Sequence, residues 1–250
     1  MLNYSIVITT FDKRFRDFLI PLIQQIKLQR PEIEVIVTVN GSCKAEFNET
    51  YRSDLLSYLS SQKNCFPTVF PNFQSLAKMW NRGILTASND TVLVLNDDLG
   101  ISAGTDYGFF DLLEKAIEST PYTFKINGSF SHFIIRKQEL MEVGYFDERL
   151  LGLGEEDGDF YWRYHETYGR DMPSIDIAYI DNIQSDLADS GYTKGIRTAA
   201  KFNRDFIKNE KYKSALFGHR GMFDNRVKKV LKDQIQYPYE EFYRLNKSKV

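Results

Sequence analysis

The sequence predicts an α/β chain organised on a mostly parallel sheet. Three observations carry that expectation. Short β-branched runs alternate with stretches whose apolar residues recur at helical spacing. A strand, a helix and a second strand follow one another within residues 4–39, the span of a βαβ unit. Thr91-Val-Leu-Val-Leu95 is continuously apolar, as a central strand covered on both faces must be.

Tyr4-Ser-Ile-Val-Ile-Thr-Thr-Phe11 opens the chain as a buried strand ending in polar residues. Phe15, Phe18, Leu19, Leu22, Ile23 and Ile26 then mark a helix with Asp12 as N-cap. Pro21 lies inside that pattern, so the helix starts late or kinks. Residues 34–39 form a second strand, and Asn40-Gly41-Ser42 is its turn. Helix is expected over 46–61, a short strand over 68–70, and an amphipathic helix through Leu76, Met79, Trp80, Ile84 and Ala87. After the 91–95 strand come a helix over 107–119 and strands over 122–126 and 130–135. A turn at Gly144 and a loop-to-helix stretch over 152–169 follow. The last clear strand is 175–180, and 198–213 and 226–236 read as basic helices. No internal repeat or low-complexity linker interrupts the chain, so one domain with a helical C-terminal extension is the simplest organisation.

The 250 residues carry 42% hydrophobic and 26% charged side chains, with a mean hydropathy of -0.39. Those values suit a globular protein and exclude collagen, coiled coil and a disordered tail. Lys and Arg number 32 against 34 Asp and Glu, which argues against a nucleic-acid partner. Charge is uneven: residues 201–250 hold 13 basic and 6 acidic residues, a net of 13 - 6 = +7, leaving 19 - 28 = -9 for residues 1–200. A solvated basic segment is the plain reading; peripheral contact with an anionic membrane is the sharper one. Cys43 and Cys65 are isolated, with neither zinc spacing nor a disulfide framework. The N-terminus lacks a basic n-region with a long apolar core, and no run approaches the ~20 apolar residues that span a bilayer. A cytoplasmic location is expected.

Two acidic clusters are candidates for chemistry. Asp97-Asp98 follows the 91–95 strand, at the sheet edge where α/β proteins bind ligands. Adjacent carboxylates repel, and hard oxygen donors suit Mg²⁺ or Mn²⁺. A solvated turn or a helix cap is an equal alternative. Glu155-Glu156-Asp157-Gly158-Asp159 exceeds what helix capping requires, so one member can serve as general base. His132, His165 and His219 stand in no nucleophile or metal-ligand spacing, and neither G-x-G-x-x-G nor a Walker A loop is present.

In order along the chain, four stretches resemble the family 2 glycosyltransferases, which have the GT-A nucleotide-diphospho-sugar transferase fold. They are Ser5-Ile-Val-Ile-Thr-Thr-Phe-Asp12; Trp80-Asn81-Arg82-Gly83-Ile84 through Leu95-Asn96-Asp97-Asp98, similar to a helix and DXD motif; Gly128-Ser-Phe-Ser-His-Phe-Ile-Ile-Arg136 with Val143-Gly-Tyr-Phe-Asp-Glu148; and Gly154-Glu-Glu-Asp-Gly-Asp-Phe160 with Arg163. The resemblance covers roughly residues 4–170. It implies a Rossmann-like, mixed but mostly parallel sheet in a domain over 1–195, with a nucleotide-sugar half over about 1–100, an acceptor half over about 101–195, and a basic helical extension over 196–250 packed on the same domain.

The resemblance also implies roles. Thr9, Thr10, Phe11 and Asn40 would hold the nucleotide base, with Asn81 and Asn96 nearby. Asp97 would approach the ribose and Asp98 would bind Mn²⁺ or Mg²⁺ at the diphosphate. Gly128 and Ser129 would line the donor-sugar pocket. Asp157 would be the catalytic base, supported by Glu156. Trp162 would be an acceptor platform or simply a core residue. The donor would be a nucleotide-diphosphate sugar, a UDP-sugar first, and the acceptor a glycan or glycoconjugate hydroxyl attacked with inversion.

Departures from the family pattern are visible. The gap from Asp98 to Asp157 is short, and Asp181-Asn182 stands where the family often has a histidine. Ser190-Gly-Tyr-Thr-Lys-Gly195 resembles a lid, with Lys194 or Arg197 available to phosphate, or is an ordinary exposed connection. A sugar nucleotidyltransferase is the competing enzyme class, but Thr9-Thr-Phe-Asp-Lys-Arg14 lacks the glycines its phosphate loop needs. A non-catalytic domain binding glycan or a protein partner is the other alternative.

Overall fold

Strand β1 (Ser5–Thr10) is buried at every position, and both of its edges carry parallel partners, β2 (Val35–Val39) and β4 (Thr91–Asn96). β3 (Cys65–Val69) extends the sheet parallel to β2. Beyond β4 the direction reverses: β7 (Ser129–Arg136) is antiparallel to it, β6 (Phe124–Ile126) antiparallel to β7, and β8 (Ser174–Ile175) parallel to β6. The seven strands lie in the order β3-β2-β1-β4-β7-β6-β8. The α/β class and the mixed, mostly parallel sheet are therefore as the sequence predicts.

The computed structural model describes residues 3–11, 14–41, 49–183 and 192–211, with 192–198 described by backbone alone. Asp12, Ser42, Cys43, Ser190, His219 and the 226–236 helix lie outside them, as do the Lys194 and Arg197 side chains. The chain divides into two compact units. The first comprises Met1–Phe73, Arg82–Glu139 and Pro173–Ser185; the second comprises Gln74–Asn81, Leu140–Met172 and Asp186–Val250.

In the first unit one face of the sheet packs Ile6, Ile8, Val37, Leu93, Leu95 and Ile134 against helices α1 (Ile20–Gln29) and α4 (Phe109–Ser119). The helices contribute Leu22, Ile23, Ile26, Phe109, Phe110 and Leu113. Each such side chain, once fully buried, stabilises the fold by roughly 1.5–3 kcal/mol. The Pro21 ambiguity resolves inside one helical run: a π-helical turn, Phe15–Leu19, leads directly into α1, and Pro21 lies in the first turn of α1, where the bonding pattern changes from π to α. Helices α2 (Glu49–Ser61) and α3 (Leu76–Thr86) follow β2 and β3. Pro67 is tolerated in β3 because that strand is at the sheet edge.

Two predictions are corrected and two elements are added. The single strand over 175–180 is two, β8 and β9 (Ile180–Asn182), in different sheets; Tyr179, at φ +67°, breaks the extended run. β9 pairs antiparallel with β5 (Leu99–Ile101), a strand too short to show in a periodicity. The lid-like stretch is helical from Tyr192 onward, the start of α7 (Tyr192–Phe206), which ends in a π-helical turn, Ile207–Lys211. A short helix, α5 (Lys137–Val143), also follows β7 unannounced. In the second unit, α6 (Glu156–Tyr168) stops at Gly169, whose φ of +63° is the left-handed ending glycine permits. Among the described residues no helix is long and apolar enough to cross a membrane.

Candidate active site

In the first unit, the C-terminal ends of β1, β2 and β4 collect most of the residues nominated from sequence. Thr9 and Thr10 end β1, and Phe11 follows; Thr9 pairs with Asn96, the last residue of β4. Asn40 follows β2, donates its N–H to the Thr10 carbonyl at 2.7 Å, and accepts the Gly41 N–H on its side-chain oxygen at 3.0 Å. β7 runs the other way, with His132 opposite Leu95, so its first residue, Ser129, starts from this same edge. Gly128, just before it, has φ +73° and donates its N–H to Ser174 Oγ. A Cβ there would meet only that oxygen, at 4.0 Å, so the backbone conformation and not crowding is what calls for glycine.

Asp97 and Asp98 leave β4 at this edge, and Arg14 meets both. Its Nε is 2.7 Å from Asp97 Oδ1 and its Nη2 is 2.6 Å from Asp98 Oδ2. Burial pushes the Asp97 carboxyl up to about 7; Arg14 and the Thr10 hydroxyl oppose that rise, and Asp98 adds to it. The Asp98 backbone is pinned separately, its carbonyl accepting the Ile183 N–H at 2.8 Å. Asp181 and Asn182, where a family histidine often stands, lie on β9 opposite Gly100 and Leu99.

Among the described residues no cluster of three or more His, Cys, Asp or Glu side chains could hold a metal ion by itself. Asp98 nevertheless suits one kind of ion: a single, partly open carboxylate is enough for Mg²⁺ or Mn²⁺ that keeps waters and takes its other oxygens from a diphosphate.

In the second unit the acidic cluster opens α6, and its four carboxylates are not equivalent. Asp159 is fully buried and paired with Arg163 at 2.9 Å and Lys211 at 2.8 Å. Glu155 is buried at φ +76°, with Arg204 3.7 Å away. Glu156 is buried, accepts the Gly154 N–H at 2.6 Å, and is pushed up to about 8 by burial first and by the neighbouring Asp157 charge next. Only Asp157 keeps part of its surface open, its Oδ1 accepting the Gly158 N–H at 2.8 Å. Trp162 is buried, with its ring stacked 6.1 Å from that of His165.

Asn81, expected near the nucleotide, has another task. It is fully buried; its amide donates to the Phe146 carbonyl and to Glu148 Oε1, and its oxygen accepts the Phe146 N–H. Trp80, beside it, packs on Phe146 at 4.9 Å, and Phe146 stacks on Phe160 at 4.4 Å. This helical Asn therefore fixes the turn that leads to the acidic cluster.

Residues 104–208 match the family model described as glycosyltransferase like family 2. S. aureus TarS (residues 1–349), solved with UDP, superposes with a TM-score of 0.54 at 16% identity over 86% of this chain and 67% of that one. Glucosyl-3-phosphoglycerate synthase from Mycobacterium tuberculosis, solved with Mn²⁺, UDP and glucosyl-3-phosphoglycerate, superposes at 0.55 with 12% identity over 80% and 79%. The chain has the GT-A fold, and its residues 104–208 are similar to the family 2 glycosyltransferases. A Bacillus anthracis protein named as a putative glucose-1-phosphate thymidylyltransferase also shares this fold, with a TM-score of 0.51 at 10% identity over 88% and 99%. The fold alone does not distinguish the two names, and the family match over residues 104–208 is to the glycosyltransferases. No curated protein matches this chain significantly.

Sequence reasoning missed three polar residues. Arg14 reads as one more cation in a basic stretch. Asn203 of α7 gives its amide to the Leu151 and Gly154 carbonyls and accepts the Leu151 N–H, clamping the loop before α6. Lys211 is withdrawn from solvent against Asp147 and Asp159. An Asn within a helical apolar pattern was the one readable sign; nothing in the sequence marks the lysine.

Proposed function

We propose that this protein is a family 2 glycosyltransferase that transfers a sugar from a nucleotide-diphosphate sugar, most simply a UDP-sugar, to a glycan hydroxyl with inversion, using Mn²⁺ or Mg²⁺ held by Asp98. The observation that carries the reading is the half-open Asp98 carboxylate at the end of β4, on the edge shared with Thr9, Thr10 and Asn40. In open α/β sheets that edge is where ligands bind. TarS and the mycobacterial synthase, which share the fold, were solved with UDP, and the latter with Mn²⁺.

On this reading Thr9, Thr10, Phe11, Asn40 and Asn96 surround the nucleoside, Asp97 serves the ribose side, and Gly128 and Ser129 border the donor sugar. The bound metal would stabilise charge on the departing diphosphate as a Lewis acid. Asp157 takes the acceptor proton, because it is the member of its cluster that is not already committed to burial and pairing. The missing glycines after β1 count against a nucleotidyltransferase.

The test is a thermal-shift series with UDP, GDP and their sugars, with and without Mn²⁺. A ligand at 100 times its Kd should stabilise the protein by about 2.7 kcal/mol. The expected outcome is a Mn²⁺-dependent shift with one nucleotide that Asp98→Ala removes. A shift that survives Asp98→Ala unaltered would refute the assignment of Asp98.

A further inference from the structure

Arg14 does more than balance charge. Its guanidinium lies against two aromatic rings, 5.5 Å from the Phe11 centroid and 5.0 Å from that of Phe18, and its side chain is only 8% exposed. Held in this way, it has little room to swing aside. Its two carboxylate partners differ. Asp97 is 4% exposed at its side chain, whereas Asp98 is 25% exposed. Arg14 Nε pairs with Asp97 Oδ1 and Nη2 with Asp98 Oδ2, so the two carboxylates meet different nitrogens of one guanidinium. Asp98 alone can turn toward water and leave Arg14.

We propose that Arg14 is the resident counter-charge of the acidic pair: it retains Asp97 and yields Asp98 to a divalent cation, and so makes metal binding depend on the diphosphate. This rests on the reading of Asp98 as the metal ligand. A bare Mn²⁺ ion approaching Asp98 must displace one cation and then sit beside it, with no new negative charge to offset the repulsion. A metal–diphosphate complex brings that negative charge, and the guanidinium released from Asp98 faces it. Arg14 is thus a positioning residue that couples the metal to the nucleotide, and the coupling is reciprocal.

The experiment measures Mn²⁺ uptake by the full chain from the electron paramagnetic resonance signal of the free ion, with and without UDP or GDP. In the wild type, the effective nucleotide should tighten Mn²⁺ binding by about tenfold or more. Arg14→Gln should shrink that factor to about threefold or less by tightening the binding of bare Mn²⁺. Adding Asp98→Asn to Arg14→Gln should abolish the gain. Bare Mn²⁺ binding that Arg14→Gln leaves unchanged or weakens, with nucleotide-dependent uptake intact in the wild type, overturns the role of Arg14 alone. No uptake by the wild type with either nucleotide overturns the donor-site reading along with it.

Should Arg14→Gln fail to fold, the wild type labelled with ¹⁵N-arginine answers the same question with Mg²⁺ and nucleotide. The Nε–H resonance of Arg14, whose nitrogen pairs with Asp97, should hold its position while the Nη2 resonance shifts. An unmoved Nη2 resonance at saturation overturns the proposal.

Discussion

Lys211 Nζ lies 2.7 Å from Asp147 Oδ2, with both side chains wholly removed from solvent. The same ammonium is 2.8 Å from Asp159 Oδ1, while Arg149 and Arg163 pair with Asp147 and Asp159 at 2.7 and 2.9 Å. Two carboxylates therefore share three cations. Burial drives the Asp159 pKa upward, but Lys211 and Arg163 outweigh it and hold the group below the usual carboxylate range. The network ties the end of α7 to the residues that flank the acidic loop.

Lys211→Met is expected to destabilise the protein by about 3–5 kcal/mol, because it leaves two buried carboxylates short of a cation. Denaturant unfolding monitored by circular dichroism measures it. A loss below about 1 kcal/mol, the range of an exposed pair, would mean that the lysine is not buried in solution.

The packing of α3 makes a second prediction. A Cβ built at Gly83 would stand 2.4 Å from Val7 Cγ1 and 3.2 Å from Thr38 Cγ2, so the helix comes too close to β1 and β2 for any side chain. Gly83→Ala gains about 1 kcal/mol in helix propensity and loses roughly 1–3 kcal/mol to overpacking. The expected net is a lower Tm, and Gly83→Val should fall further. A Tm above wild type for Gly83→Ala would place α3 farther from the sheet than described.

Asn81 and Gly83 show what was legible and why. The Asn-x-Gly spacing was visible in the sequence, and so was its helix, because period and residue type are local properties. The tasks were not: Asn81 serves a turn 65 residues away and Gly83 a close approach to the sheet. β1, β2, β4 and α6 were readable because burial writes long apolar runs or clear periods. α5, β5 and β9 are too short for a period, and the pairing of β5 with β9 joins residues far apart in the chain. Arg14 escaped notice because a buried cation and an exposed one look alike in sequence. Four carboxylates within five residues announced a site, but only burial distinguishes Asp157 from its neighbours.

Asp157→Asn should separate binding from chemistry. The side chain is partly exposed, and the bond it accepts from the Gly158 N–H is open to an amide oxygen. Stability should change by less than about 0.5 kcal/mol. Transfer should fall by a factor of about 10²–10⁴, the usual contribution of a general base, while nucleotide affinity stays within about twofold. The comparison is kcat from single-turnover kinetics beside nucleotide titration calorimetry. Transfer equal to wild type would move the base to another residue.

Glu156 supplies a prediction with a defined pH sign. Burial, reinforced by Asp157, raises its carboxyl from an ordinary value of 4.5 to about 8 in the folded protein. At pH 7 the folded state therefore holds a proton that the unfolded chain has released. Stability rises with pH only where the unfolded state binds more protons, and here it binds fewer. The contribution of Glu156 is fully present below about 4.5 and is lost as pH rises through about 8. Glu156→Gln removes this titration and keeps an oxygen for the Gly154 N–H, although an amide can satisfy fewer of the turn's donors than a carboxylate. The informative quantity is therefore the slope and not the Tm at one pH. Wild type should lose Tm relative to Glu156→Gln steadily between about pH 5 and 8 and run parallel to it above. Asp97, raised by its own burial, titrates alike in both proteins and cancels from the difference. Parallel Tm profiles across the whole range would show that Glu156 is ionised and solvated, and the acidic loop would then have to be more open than its bond to Gly154 implies.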